Sequence, residues 1–218
     1  MKERSIHIGP RNLYIADWHY GHANVIGHDN RPFQTLAEMN EAFVIRWNDA
    51  VRPEDTVYIL GDMFWCCARE AVGVLRTLNG KKVLIKGDHD GNTKDSKFCK
   101  EFKQIRDYHL EIEDGWQYVV LCHYPIPCFR LHFRKDWCHL YGHVHNTFEW
   151  NMMERFKTAM EELGHNFEMY NVGAMMPWMD YTPKTLYEIS LGAESFNWKK
   201  GVNVYDSSFD DRRHQTLS

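Results

Sequence analysis

Short apolar runs alternate along the chain with longer stretches in which apolar residues recur at helical spacing. The runs Asn12–Ala16, Thr56–Leu60, Lys82–Lys86, Gln117–Cys122 and Cys138–Tyr141 have the length of buried strands. Thr35-x-x-Glu38 reads as a capping box that opens a helix with Met39, Phe43, Val44 and Trp47 on one face, ending before Pro53-Glu54-Asp55. A second helix is expected from about Ala68 to Leu78 with Asn79-Gly80 as its C-cap, and a third near Lys94–Phe102. A fourth over Asn151–Leu163 would pack Met153, Phe156, Met160 and Leu163. Asp114-Gly115, between Tyr108–Ile112 and Gln117–Cys122, has the residues of a hairpin turn. Strands followed by helices, then a hairpin, predict α/β layers with mixed sheet pairing.

At 218 residues, without repeats or low-complexity segments, the chain fits a single domain spanning 1–218. Lys and Arg number 26 against 30 Asp and Glu, a formal charge of −4, so no global basic field recruits long nucleic acid or an anionic membrane. The opening residues lack the apolar segment of a signal peptide, and no apolar run approaches the ~20 residues of a membrane span. The six cysteines include no C-x-x-C pair and read as reduced thiols of a cytoplasmic protein, with Cys122 a small buried residue at a strand end. The 13 histidines are the unusual count, and many stand beside Asp or Gly in short loops, which points to metal.

Each apolar run is followed by candidate ligands. Asp17-Trp18-His19 follows the first, Gly61-Asp62 the second and Gly87-Asp88-His89-Asp90 the third; His123-Tyr124-Pro125 and Gly142-His143-Val144-His145 follow the last two. Ligands of open α/β sheets collect beyond the carboxyl ends of the strands, so these loops can meet at one point. The mixed nitrogen and oxygen donors suit Mn, Fe, Zn or Ni better than calcium. Glycines 61, 87 and 142 are expected to permit tight turns there.

These motifs, in this order, resemble the calcineurin-like metallophosphoesterase superfamily, with its D-x-H, G-D, G-N-H-[DE], H and G-H-x-H pattern, over positions 17 to 145. His19-Tyr20-Gly21-His22-Ala23-Asn24 and Asn171-Val172-Gly173 are similar to its small bacterial and phage members. The resemblance implies a two-sheet αββα sandwich with mixed sheets and two divalent transition-metal ions, manganese favoured. It implies one ion on Asp17, His19 and His145, the other on Asp88, His123 and His143, and Asp62 bridging them. His89 matches the histidine that contacts the phosphate and assists the leaving oxygen. The chain departs from the pattern at Asp88, where the family carries Asn; a carboxylate can still ligate.

The activity so implied is hydrolysis of a phosphate ester by a hydroxide between the ions, with His89 and Asp62 at the chemistry. Small phosphodiesters or nucleotides are favoured over monoesters, and long nucleic acid is disfavoured. Asp90 could orient His89 or cap a turn. His22, Asn24, His28 and Arg31 follow the first metal loop as candidate substrate contacts. The basic, aromatic segment 129–135, with Arg130, could stack a base and hold a phosphate, or form a solvated loop. The competing reading is a catalytically weak binding scaffold on the same fold, against which His89 stands. A metallo-β-lactamase-like hydrolase would need an early H-x-H-x-D-H cluster, which the sequence lacks.

Overall fold

The computed structural model describes residues 9–196. Its elements run β1 (Asn12–Ile15), α1 (Val25–His28), α2 (Leu36–Ala50), β2 (Thr56–Leu60), α3 (Ala68–Thr77), β3 (Lys81–Ile85), α4 (Ser96–Cys99), β4 (Gln104–Arg106), β5 (His109–Asp114), β6 (Gln117–Cys122), β7 (Trp137–Tyr141), α5 (Phe148–Glu162), β8 (Met169–Asn171) and α6 (Leu186–Ser195). They build a two-sheet α/β sandwich with strand orders β1-β2-β3-β4 and β5-β6-β7-β8. The first sheet is parallel throughout, because helical crossovers separate its strands. Mixed pairing is confined to the second sheet, where the β5–β6 hairpin precedes two parallel pairs. Among the described residues no helix is long and apolar enough to cross a membrane.

The two sheets meet through main chain. Just past the end of β1, Ala16 N donates to Val172 O at 2.8 Å and Ala174 N donates to Ala16 O at 2.8 Å. This parallel bridge joins an edge of one sheet to an edge of the other and brings the carboxyl ends of both parallel sets together.

The helix α2 shows how sequence pattern becomes packing. Thr35 Oγ1 accepts from Glu38 N at 3.2 Å, but the Glu38 carboxylate accepts from Gln34 N, one residue before the position a capping box requires. Met39, Phe43 and Trp47 are fully buried, each worth about 1.5–3 kcal/mol. Trp18, from the loop after β1, stacks on Phe43 with ring centroids 5.1 Å apart and tilts against Trp47 at 5.4 Å. The same helix that satisfies its own periodicity therefore clamps the first candidate metal loop.

Four further sequence expectations need correction. The chain leaves α3 through an extended Leu78, and Gly80 takes positive φ (78°) to enter β3, so Asn79-Gly80 forms a turn rather than the helix cap. The third helix shrinks to a 3-10 turn, Gly91–Lys94, and the single turn α4, because Asp95 is extended and caps a new start. In the hairpin Asp114 pairs with Gln117, which makes Gly115-Trp116 the connecting residues. On α5, Met153, Phe156 and Met160 pack against the core, but Leu163 lies past the helix end and is 74% exposed.

Asp55 fastens the opposite, amino-terminal end of the first sheet. Its buried carboxylate accepts from Arg11 N at 2.8 Å, Arg11 NH2 at 2.6 Å and Arg52 N at 3.0 Å. Asp55→Ala would strand two backbone donors and one guanidinium. It should lower unfolding free energy by about 3 kcal/mol in urea titrations, with an unchanged m-value.

Candidate metal centre

At the carboxyl end of the sandwich the backbone is forced into unusual shapes. Asp17, His19, Asp62, His143 and His145 adopt left-handed φ values of 53, 51, 53, 70 and 47°. Non-glycine residues seldom do so, at a cost on the order of 1 kcal/mol each. These five are the majority of the nine such non-glycine residues described, so the strain is concentrated where candidate donors must turn inward. Of the three glycines expected at turns, only Gly61 has positive φ, at 83°. Gly142 is required for close approach instead: a Cβ there would stand 2.6 Å from both Ala16 Cβ and Asp17 Oδ2. On Gly87 it would meet His123 Cε1 at 2.8 Å. A side chain at either position would push apart loops that come from different strands.

The loops bring their donors together. Atoms of Asp17, His19 and His145 lie within 4.8 Å of one another, as do atoms of Asp88, His123 and His143. A third set, Asp17, Asp62 and His123, takes one residue from each trio and adds Asp62. Individual separations are 3.9 Å for His145 Nε2 to Asp17 Oδ1, 3.6 Å for His123 Nε2 to Asp62 Oδ2, and 3.4 Å for His143 Nδ1 to Asp88 Oδ2. His19 Nε2 stands 3.2 Å from His145 Nε2 and 3.8 Å from Asp62 Oδ2. Spacings of roughly 3–4 Å are those of donors each ~2.1 Å from a shared ion.

Two buried histidines test whether this arrangement fits a metal. His139 is fully buried in β7, and both its ring nitrogens are satisfied: Nδ1 by Val120 O at 2.9 Å and Nε2 by Ile126 N at 3.0 Å. His123, equally buried, donates Nδ1–H to Leu60 O at 2.7 Å, which fixes its tautomer and leaves a lone pair on Nε2. That Nε2 has no hydrogen-bond partner among the described residues and faces Asp62. An orphaned imidazole nitrogen aimed at carboxylates is costly unless a cation completes it.

A layer of outer residues orients the donors. Asp17, with no exposed surface, accepts from His143 N at 3.1 and 3.0 Å through its two oxygens. Asp29 Oδ1 accepts from His145 Nδ1 at 2.7 Å, so the His145 Nε2 is the one left facing Asp17. Arg31, also buried, donates to Asp29 at 2.8 Å, to Trp18 O at 2.9 Å and to Asp17 O at 3.0 Å. Asp90 accepts from Asp62 N, Met63 N and Gly87 N at 2.9, 3.2 and 2.8 Å. Asn171 donates Nδ2–H to His145 O at 2.7 Å and accepts from Gly173 N at 2.8 Å. On the open side, the Tyr124 hydroxyl donates to Asp88 Oδ1.

Electrostatics follow from this burial. Desolvation raises the Asp17 pKa above the usual carboxylate value, although His145 and His123 oppose it. Burial lowers the His19 pKa well below that of free imidazole, with further depression from His145 and Arg31, and burial likewise lowers His143. Both are thereby kept in the neutral form that ligates. Burial also disfavours charge on His145, but Asp29 and Asp17 more than offset it and carry its pKa up to about 9. Burial would raise Asp29, yet His145 and Arg31 together hold it at about 2.

The predicted outer contacts fare differently. Arg31 is sealed beneath the site and unavailable to substrate, because its guanidinium is already used by Asp29 and two carbonyls. Asp90 caps the turn and does not orient His89. Arg130 pairs with Glu111 at 2.6 Å, Arg134 is held by Asp136, and Phe129 is buried against His139 and Phe167, so segment 129–135 is an anchored loop. Asn24 is exposed at the N-cap position of α1, with no side-chain cap bond. His22 does reach the site, stacked on Trp65 at 4.1 Å, while His28 packs edge-on against His22. Cys122 is buried as expected, and all six cysteines are free. Asp29, Trp65 and Tyr124 were not singled out by sequence, though Asp29 stands between two residues that were.

Since Asp29 both orients His145 and balances Arg31, Asp29→Asn should weaken transition-metal binding by roughly 10–100-fold. Competitive titration against a chelating dye would measure this, and an unchanged affinity would remove Asp29 from the metal site.

No family model matches the chain. A crystal structure of the protein of unknown function AQ665 from Aquifex aeolicus superposes with a TM-score of 0.57 at 21% identity, covering 84% of this chain and 99% of that one, a likeness of fold. The uncharacterized protein MJ1445 of Methanocaldococcus jannaschii is 37% identical over 138 residues, which cover 62% of this chain and 70% of the relative. The chain therefore belongs to the family of the uncharacterized protein MJ1445.

Proposed function

We propose that this chain is a metallophosphoesterase of the calcineurin-like type that uses two divalent transition-metal ions to hydrolyse a small phosphate ester, with phosphodiesters and nucleotides favoured over monoesters. The observation that carries the reading is the paired donor geometry: two Asp/His trios, each within 4.8 Å, linked by a third set that contains Asp62. The orphaned Nε2 of His123 supports it independently. Manganese is favoured, with Fe, Zn and Ni compatible with the same donors.

When bound, the ions supply Lewis-acid charge to the phosphate oxygens and lower the pKa of the attacking water. Asp17, His19 and His145 hold one position, and Asp88, His123 and His143 the other. Asp62 serves both: its Oδ1 is engaged by His89 N at 2.8 Å, while Oδ2 faces His123 and His19. Tyr124 stays protonated, its pKa pushed up to about 12 chiefly by its hydrogen bond to Asp88. The phenol thus occupies one Asp88 oxygen and moderates the extra negative charge this residue brings compared with an amide. His89 stands 3.8 Å from Asp62 with a side chain 37% exposed, between the buried donors and solvent. That is where a leaving alkoxide would depart, and His89 would protonate it.

Purified protein should carry close to two transition-metal ions per chain by elemental analysis and hydrolyse bis-nitrophenyl phosphate with Mn²⁺; Asp62→Ala should lose both properties. A parent chain without metal, and inert on every ester after Mn²⁺ addition, would leave the scaffold reading in its place. His89→Ala should slow an alkyl phosphate ester by roughly 10²–10⁴-fold and a nitrophenyl ester much less, because nitrophenolate departs with little protonation. Equal losses on both esters would reassign His89 to phosphate binding.

A further inference from the structure

We propose that Trp65 is the positioning residue for His89, holding its imidazole at the leaving-group side of the metal centre; this rests on the phosphoesterase reading above. The His89 ring needs such a holder. Its backbone N–H is fixed by Asp62 Oδ1 at 2.8 Å, but Nε2 is 3.8 Å from Asp62 Oδ2, too far for a hydrogen bond. Among the described residues the ring nitrogens of His89 make no hydrogen bond. The adjacent carboxylate, Asp90, is spent on three backbone amides. Polar contacts therefore locate the His89 main chain and leave its ring orientation open.

Packing closes that gap. The Trp65 and His89 ring centroids are 4.5 Å apart with planes tilted by 57°. The same indole lies flat against His22, at 4.1 Å and 9°, and 6.1 Å from the His19 ring. Its main chain is held by Trp65 N, which donates to Tyr20 O at 2.7 Å, and the next carbonyl along the chain, Cys66 O, accepts from Asn92 Nδ2 at 3.0 Å. A Cβ on Gly21 would come within 3.2 Å of Cys66 Cβ, so the two loops run in close contact. The indole is thus placed where the loops after β1, β2 and β3 meet.

Trp65 is 40% exposed, more than a core residue would be, and its flat contact with His22 covers ring area that a substrate base would otherwise stack on. Burial holds the His22 pKa at about 4, which suits a neutral stacking partner. Support of His89 is the role these contacts leave for it. A displacement of about 1 Å in a catalytic group can cost up to ~10²-fold in rate.

The test uses the full metal-loaded chain with Trp65→Ala and Trp65→Phe, assayed on an alkyl phosphate ester and a nitrophenyl ester. Trp65→Ala should lower kcat on the alkyl ester by roughly 10–100-fold with KM and metal content unchanged, and spare the nitrophenyl ester. Trp65→Phe, which keeps an aromatic face, should recover most of the loss. By NMR of the diamagnetic Zn²⁺-loaded chain, the His89 ring protons should shift in Trp65→Ala as the indole ring current is lost. Equal loss on both esters, or loss of metal, would make Trp65 a general support of the loops and overturn the proposal. So would unmoved His89 resonances. His89→Ala run in parallel separates the two ideas: if it shows no leaving-group dependence, the general-acid assignment fails and this proposal falls with it. If His89→Ala shows the dependence and Trp65→Ala does not, only the role of Trp65 is refuted.

Discussion

The carboxylate of Asp17 is wholly buried at the seam between the two sheets, and a buried carboxylate must be compensated. Its neighbours are arranged around that requirement. The amide of His143 donates to both oxygens, which draws the loop after β7 onto the loop after β1. Gly142 and Gly173 are the residues that can lie that close, since a Cβ on either would crowd Asp17 Oδ2 at 2.6 or 3.0 Å. The Arg31 guanidinium binds the Asp17 carbonyl and leaves the carboxylate to the interior of the site. The same contacts that neutralise part of the charge therefore dictate how the sheets join and which way the donors face.

The surrounding layer distributes the remaining charge. Asp29 sits between Arg31 and His145, so one carboxylate fixes an imidazole and balances a cation that has no exposed side-chain surface. Asp90 does similar work through backbone amides, holding the loops after β2 and β3 in register. Neither residue has to touch a ligand. Each limits the freedom of a candidate donor, as residues hydrogen-bonded to ligating side chains do in metal sites.

The open side of the centre is built differently. Trp65 and Tyr124, 40% and 39% exposed, stand at the rim beside His89 and Asp88. The inner donors are held by backbone strain and hydrogen bonds, whereas His89 relies on an aromatic contact. On the proposed phosphoesterase reading, His89 would exchange a proton with a leaving oxygen and so could not have its ring nitrogens permanently bonded, and packing is the compatible way to hold it.

Six of the eight described strands, the helix α2 and the candidate donors were legible in the sequence, because apolar runs of strand length end in Asp, His and Gly at regular intervals and periodicity records burial directly. The short strands β4 and β8 were not, since three-residue strands carry little periodic signal, and the helix α6 went unread although Thr185-x-x-Glu188 opens it as a capping box. Which polar residues face a ligand was also beyond the sequence. Arg31 and Asp90 looked like site residues and are consumed inside the protein, while Asp29, Trp65 and Tyr124 came to the site unannounced. Position along a loop records where a side chain begins. Whether its charge is met by a neighbour, as for Arg31 on Asp29 and the Asp17 carbonyl, or left open, as for His123 Nε2, depends on contacts between segments that lie 14 residues apart in one case and 116 in another, and only the tertiary structure decides those.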